Sequence, residues 1–213
     1  MTLEILHLTL GPLPNNVYVL GDSATGGAVV IDPSFESEVV LDRVEKKGWQ
    51  IRAIWLTHAH FDHIAGAGDI VSDCEKTPAI GLHPADDELY ARSGGAGQFG
   101  LSIPQPPEPK IHFTNGMQLQ LDAGGPILAT VLHAPGHSPG HVMFYCEPLG
   151  VLFCGDVIFR MGVGRTDLAG GDMDTLLKTI REQVFTLPDE TRLLPGHGPE
   201  STVGFEKKHN PFL

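Results

Sequence analysis

The chain has 213 residues, 41% hydrophobic and 19% charged, with 26 acidic against 14 basic side chains and a formal net charge of −12. A chain of this length suits one domain, 1–213, with a sizeable core. Its acidic balance lacks the basic footprint of a nucleic-acid binder and reads most simply as solubility, and no apolar run approaches the length of a membrane span.

Residues 3–10, 16–20 and 27–31 read as short strands between Gly-Pro and Gly-Asp turns. Residues 36–47 form an amphipathic helix with Val39, Val40 and Val44 on its buried side, and 51–56 a mostly apolar strand. The pattern then predicts a helix over 64–74 and a strand over 79–82. The segment 93–110 carries four glycines and four prolines, which reads as a solvent loop or, more sharply, as a wall or lid over a site. Further strands are expected over 127–131, 142–146 and 150–154. The clearest helix runs over 172–185, capped by Asp172 or Asp174 and closed before Pro188. Two runs of strands with helices between them fit two sheets sandwiched by helices.

Chemistry concentrates where the fourth strand ends, in Thr57-His-Ala-His-Phe-Asp-His63. Imidazole nitrogen and carboxylate oxygen form a donor set for zinc or a similar divalent ion. In extended chain, residues two apart point the same way, so His58 and His60 can converge on one ion. Asp62 and His63 fall where the chain turns into helix and can serve a second. This differs from the His-Glu-X-X-His pattern, whose two histidines share one helical face. Three later segments, each placed after an apolar run, supply further donors. They are Pro135-Gly-His-Ser-Pro-Gly-His141 with His137, Val151-Leu-Phe-Cys-Gly-Asp156, and Leu193-Leu-Pro-Gly-His-Gly198 with His197.

The order His-X-His-X-Asp-His, Pro-Gly-His, Gly-Asp, Pro-Gly-His resembles the metallo-β-lactamase-fold hydrolases, and within them the short glyoxalase II (hydroxyacylglutathione hydrolase) enzymes. The segment Phe159-Arg-Met-Gly-Val-Gly-Arg-Thr-Asp-Leu168, Gly170-Gly-Asp172 and the terminal Asn210-Pro-Phe-Leu213 carry the finer likeness. The resemblance implies a four-layer αββα sandwich of α+β or α/β class. It implies that His58, His60 and His137 bind one metal, that Asp62, His63 and His197 bind another, and that Asp156 bridges them, with Asp62 and Asp156 serving catalysis. Two divalent ions follow, zinc first and iron or manganese as alternatives. Such ions bring the pKa of bound water toward neutrality and polarise a scissile carbonyl. The implied substrate is a small molecule, a glutathione thioester such as S-D-lactoylglutathione, with Arg165 as a substrate contact. Arg160, Lys207 and Lys208 are further cations whose plain role is a solvated surface. The chain departs from the longer glyoxalase II pattern in two ways. Gly198-Pro-Glu-Ser201 stands where Glu-Tyr-Thr is expected after His197, and no helical C-terminal domain follows.

Rival readings are a persulfide dioxygenase, which by resemblance would use one iron at His58, His137 and Asp156, a lactonase of the same fold, and a non-catalytic metal-binding module. Gly136-His-Ser-Pro-Gly140 satisfies the serine-hydrolase pattern Gly-X-Ser-X-Gly, but Pro139 lacks the N–H that mechanism requires. His7, His83, His112, His133 and His209 read as surface or hydrogen-bonded residues, while His141 and Asp32 are placed to orient a ligand. Three cysteines without a Cys-X-X-Cys spacing fit free thiols in a cytoplasmic protein, with Cys154 as a core thiol or a neighbour of Asp156. The N-terminus carries no secretory pattern.

Overall fold

The structure is a computed structural model describing residues 2–122 and 124–213. Alternation along single strands sets its layers. In β2 (Asn15–Asp22), Val17 and Val19 enter one apolar cluster while Tyr18 and Leu20 enter a second. The same split divides Ala28 and Val30 from Val29 and Ile31 in β3 (Gly27–Ile31). Successive strand side chains point to opposite faces, so a sheet buried on both sides must be apolar at every position.

The first sheet has the order β1 (Leu3–Leu10), β2, β3, β4 (Gln50–Trp55), β5 (Ala79–Leu82), β6 (Ile111–His112). It is antiparallel from β1 to β3 and parallel from β3 to β6. Parallel neighbours need crossovers, supplied by α1 (Ser37–Lys46) and by α2 (Phe61–Ile64) with α3 (Ala67–Asp73). A further helix, α4 (Asp87–Ala91), follows β5.

The second sheet has the order β14 (Ser201–Thr202), β13 (Arg192–Pro195), β10 (Val151–Gly155), β9 (Val142–Cys146), β8 (Ala129–His133), β7 (Gln118–Leu119). Its inner side chains, including Phe144 and Phe153, meet the first sheet through Trp55 and Tyr18. Its outer ones, Met143, Leu152 and Leu193, pack under α5 (Met173–Thr179), a π-turn over Ile180–Val184 and α6 (Val203–His209). A small hairpin, β11 (Ile158–Phe159) and β12 (Gly162–Val163), follows β10. The result is the expected four-layer αββα sandwich. No helix among the described residues is long and apolar enough to cross a membrane.

Two expectations shift, and one open choice is decided. The helix expected over 64–74 is broken: α2 ends at Ile64 and α3 begins at Ala67. There the Gly66 N–H donates to Pro33 O at 3.0 Å, and a side chain at Gly66 would collide with the Ser34 carbonyl. The strand expected over 127–131 begins later, at Ala129. Cys154 points into the outer cluster beneath the helices, the core position, and away from the space between the sheets.

Candidate metal centre

Every sequence-predicted donor leaves a strand at the same edge of the sandwich. His58 follows β4, and His60 is the extended residue (φ −65°, ψ 146°) before α2, whose first turn carries Asp62 and His63. His137 lies in the β8–β9 loop, Asp156 directly after β10, and His197 after β13. The β10 strand turns at Gly155 (φ 48°), where a side chain would meet Thr57 and His141. At Gly196 a side chain would fall on the Asp156 carboxylate and the His63 ring. Only glycine permits that approach.

The seven donors form two groups. His137 Nε2 lies 2.8 Å from His60 Nδ1 and 3.2 Å from His58 Nε2. Asp62 Oδ2 lies 3.1 Å from His197 Nε2 and 3.7 Å from His63 Nε2. Asp156 stands between them, with Oδ2 3.6 Å from His137 Nε2 and 3.7 Å from His197 Nε2, and Oδ1 3.5 Å from His63 Nε2. All but His197 are buried. His63 Nε2 and Asp156 Oδ1 are both buried without a hydrogen-bond partner. Buried polar atoms are ordinarily satisfied, so this facing pair, with its nitrogen-and-oxygen surroundings, fits a divalent cation.

The electrostatics agree. Burial and neighbouring imidazoles push His58 and His141 well below the ordinary imidazole value. Burial, then His137, takes His60 to about 3. These rings keep free lone pairs. His63 goes the other way: burial opposes protonation, but the carboxylates of Asp62, Asp156 and Asp32 lift it to about 10. Burial pushes Asp62 up, yet His63 and His197 outweigh it and hold its carboxyl below the usual range. The acidic cluster thus demands positive charge at the centre.

Surrounding residues hold the rings in place. Asp32 accepts from the Thr57 N–H and hydroxyl, each at 2.7 Å, and its Oδ2 lies 3.0 Å from His63 Nδ1. His137 Nδ1 donates to Arg165 O at 2.7 Å. The Asp156 N–H donates to His141 Nε2 at 3.0 Å. Asp32 and His141 thus each hydrogen-bond to a candidate donor residue, Asp32 to the His63 ring and His141 to the Asp156 backbone.

Sequence reasoning missed Asp86, Asn15 and Asn16. Fully buried, Asp86 accepts from Ala59 N–H (3.0 Å), Ser138 Oγ (2.7 Å) and Gly140 N–H (2.6 Å), tying the His58 loop to the His137 loop. That contact also explains Ser138 as a structural hydroxyl. Asn15 Nδ2 donates to Asp62 O at 2.7 Å, and Asn16 Nδ2 donates to Pro195 O and Gly198 O at 3.0 and 2.7 Å, holding the His197 loop. The only available signal was a pair of asparagines opening an apolar strand. Asp86 had none, since burial of an acid is a tertiary property. His83 and His133 stack on each other with centroids 4.2 Å apart and do not join the donor groups.

A cleft of about 680 Å³ opens over the centre, lined by His60, Asp62, His137, Asp156 and His197 together with Arg165 and apolar side chains. The segment 93–110 supplies Phe99 and Leu101 to this cleft and so forms part of its wall. Arg165 is half exposed, its guanidinium paired with Asp167.

The metallo-beta-lactamase superfamily model matches residues 10–197, a span that includes all seven donors. The chain belongs to the metallo-β-lactamase superfamily. It is 38% identical to the probable metallo-hydrolase YqgX of Bacillus subtilis, over 97% of this chain and 96% of that one. It is 34% identical to the hydroxyacylglutathione hydrolase GloC of Haemophilus influenzae, over 100% and 98% of the two chains. The solved structure of TTHA1623 in a di-iron-bound form is 42% identical, with a TM-score of 0.88 over 98% of this chain and 100% of that one. As a metallo-β-lactamase superfamily member, the chain is a metal-dependent hydrolase with a candidate site for divalent ions.

Proposed function

We propose that this chain is a cytoplasmic, single-domain binuclear hydrolase of the glyoxalase II kind, cleaving S-D-lactoylglutathione or a related thioester. In this reading His58, His60 and His137 hold one ion, Asp62, His63 and His197 hold the other, and Asp156 serves both. Zinc is the first choice, and iron or manganese suit the same donors. The placement of Asp156 carries the proposal: one carboxylate within 3.7 Å of His63, His137 and His197 is suited to span two ions. The likeness to GloC supports the thioester.

Bound divalent ions would supply a nucleophile at neutral pH and polarise the carbonyl. The chain's own residues fix the geometry. Asp32 and Thr57 orient His63 and His58, Arg165 O orients His137, and apolar side chains line the cleft where the acyl group would sit. Attack forms the new C–O bond and breaks C–S, and the sulfur leaves with the bonding pair as a thiolate. A thiolate is a good leaving group, so the protein need not protonate it.

Metal per chain and hydrolysis of a thioester panel, measured on the same preparation, test the proposal. Two ions with turnover are expected. Two ions with no turnover of any thioester would remove the activity. One iron per chain with oxygen uptake on glutathione persulfide would replace it with the dioxygenase.

A further inference from the structure

One buried acid lies outside both donor groups and outside the cleft lining. Glu206 sits on α6 and is fully buried. Among the described residues its hydrogen-bond partners are all uncharged. Oε2 accepts from the Met161 N–H at 3.0 Å and from Asn210 Nδ2 at 2.8 Å, and Oε1 accepts from the Ser201 hydroxyl. Burying a carboxylate is costly unless hydrogen bonds satisfy it, so its placement calls for a reason.

The reason lies in what Glu206 holds. The β11–β12 hairpin has two residues in each strand, and Phe159 pairs with Gly162 across a two-residue turn. A pairing this short does not sustain itself alone. Met161 in that turn has φ 61°, a left-handed conformation that such turns usually give to glycine or asparagine. Local preference therefore leaves the turn unfixed. Three consecutive residues instead find partners on the C-terminal segment. The Arg160 guanidinium carbon lies 4.3 Å from the Phe205 ring centroid, the Met161 N–H donates to Glu206, and Gly162 O accepts from Asn210 Nδ2 at 2.9 Å.

The hairpin is inserted between two parts of the metal centre. It begins just after Asp156 and runs into Arg165, whose carbonyl oxygen accepts from His137. It presents Phe159 and Val163 to the cleft, with the Phe159 ring centroid 6.2 Å from that of His197. At its base the Gly164 N–H donates to Val157 O at 3.2 Å. A loosened turn would therefore move the cleft wall while the closed base keeps Asp156 in place.

We propose that Glu206 is a positioning residue for this cleft: it locks the β11–β12 turn and so sets where Phe159 stands against a bound substrate. The part played in turnover rests on the hydrolase reading above and adds a determinant to it. The locking of the turn stands apart from any reaction.

Hydrogen–deuterium exchange and steady-state kinetics on the metal-loaded protein test it, with S-D-lactoylglutathione as substrate. In Glu206→Ala the Met161 amide and its hairpin should exchange about 10- to 100-fold faster, as for loss of a carboxylate hydrogen bond, while β10 keeps its protection. KM should rise about five- to tenfold with kcat within about twofold, and metal content should not change. Glu206→Gln should restore both readouts, because its amide oxygen still accepts from Met161 and its amide nitrogen can donate to Ser201. In a Phe159→Ala background the KM effect of Glu206→Ala should fall below about twofold, since both changes act through one ring. If Glu206→Ala does not fold, Asn210→Ala removes the bond to Gly162 O and should show the same pattern more weakly. Faster exchange throughout the chain, unchanged exchange in the hairpin, or a KM effect independent of Phe159 overturns the proposal. No turnover of any thioester by the wild type would remove the hydrolase reading instead, and hairpin exchange would still decide whether Glu206 locks the turn.

Discussion

Asp32 and His63 are 31 residues apart in sequence, and their Oδ2 and Nδ1 atoms meet at 3.0 Å inside the protein. A carboxylate only accepts, so His63 carries its proton on Nδ1 and turns Nε2 toward the centre. Asp32 also accepts the Thr57 hydroxyl proton, which leaves Thr57 Oγ1 to accept from His58 Nδ1 at 3.0 Å. One acid therefore sets the ring orientation in both donor groups. Asp32→Asn should weaken metal binding about 10- to 100-fold with the fold retained. Chelator competition alongside circular dichroism would measure this, and unchanged affinity would contradict the orienting role.

The two donor groups predict unequal losses. His197→Ala should lower metal content to about one ion per chain, because His58, His60 and His137 stay intact. His58→Ala should reduce bound metal and abolish hydrolysis. Elemental analysis of both variants checks the assignment, and full metal with full activity in His58→Ala would refute it.

Asp86 should matter for stability more than for chemistry. Asp86→Ala leaves the Ala59 and Gly140 N–H groups buried without acceptors. The expected cost is about 2–6 kcal/mol, given roughly 1–3 kcal/mol for each of the two unsatisfied donors. Urea denaturation of the metal-free protein would read it, and a change under about 1 kcal/mol would mean water replaces the carboxylate.

Thiol reactivity should divide the cysteines. Burial pushes Cys146 up to about 11 and raises Cys154 further, while Cys74 is raised less and is only half buried. Since the thiolate is the reactive form, native protein at pH 8 should react at Cys74 alone with a disulfide reagent. All three cysteines should react in denaturant. Rapid native labelling of Cys154 would contradict its core position.

The Arg165–Asp167 pair should be insensitive to pH in the working range. The Arg165 guanidinium holds the Asp167 carboxyl at about 2, below its ordinary value. A depressed carboxyl keeps its ion pair above the ordinary carboxylate range and loses it as pH falls through the depressed value. The Asp167 carboxylate should therefore stay ionised and paired between about pH 5 and 9, read as a constant carboxyl-carbon chemical shift by NMR. A titration step within that window would contradict the pairing.

The sequence by itself determined a good deal. Alternation in strands such as 27–31, buried on both faces, required layers on either side of the sheet, and the capped helix beginning after Asp172 formed where its residues demanded. The cluster from His58 to His63 announced metal chemistry because its donors are close in sequence, where local geometry limits what they can do. His137, Asp156 and His197 were legible because each lies in a Gly- or Pro-bearing segment just past an apolar run.

Tertiary structure decided the rest. The break at Gly66 depends on Pro33 and Ser34 pressing against it. The buried Asp86 depends on three donors from two loops, and the pairing of the asparagines with the His197 loop spans nearly the whole chain. Whether Arg165 meets a substrate or Asp167, and whether the 93–110 segment lies in solvent or walls the cleft, were equally open in one dimension. Patterning reports how residues repeat within an element, because helix and strand periods are local. Hydrogen bonds and cleft walls made between elements depend on how separate surfaces dock, and no local period records that.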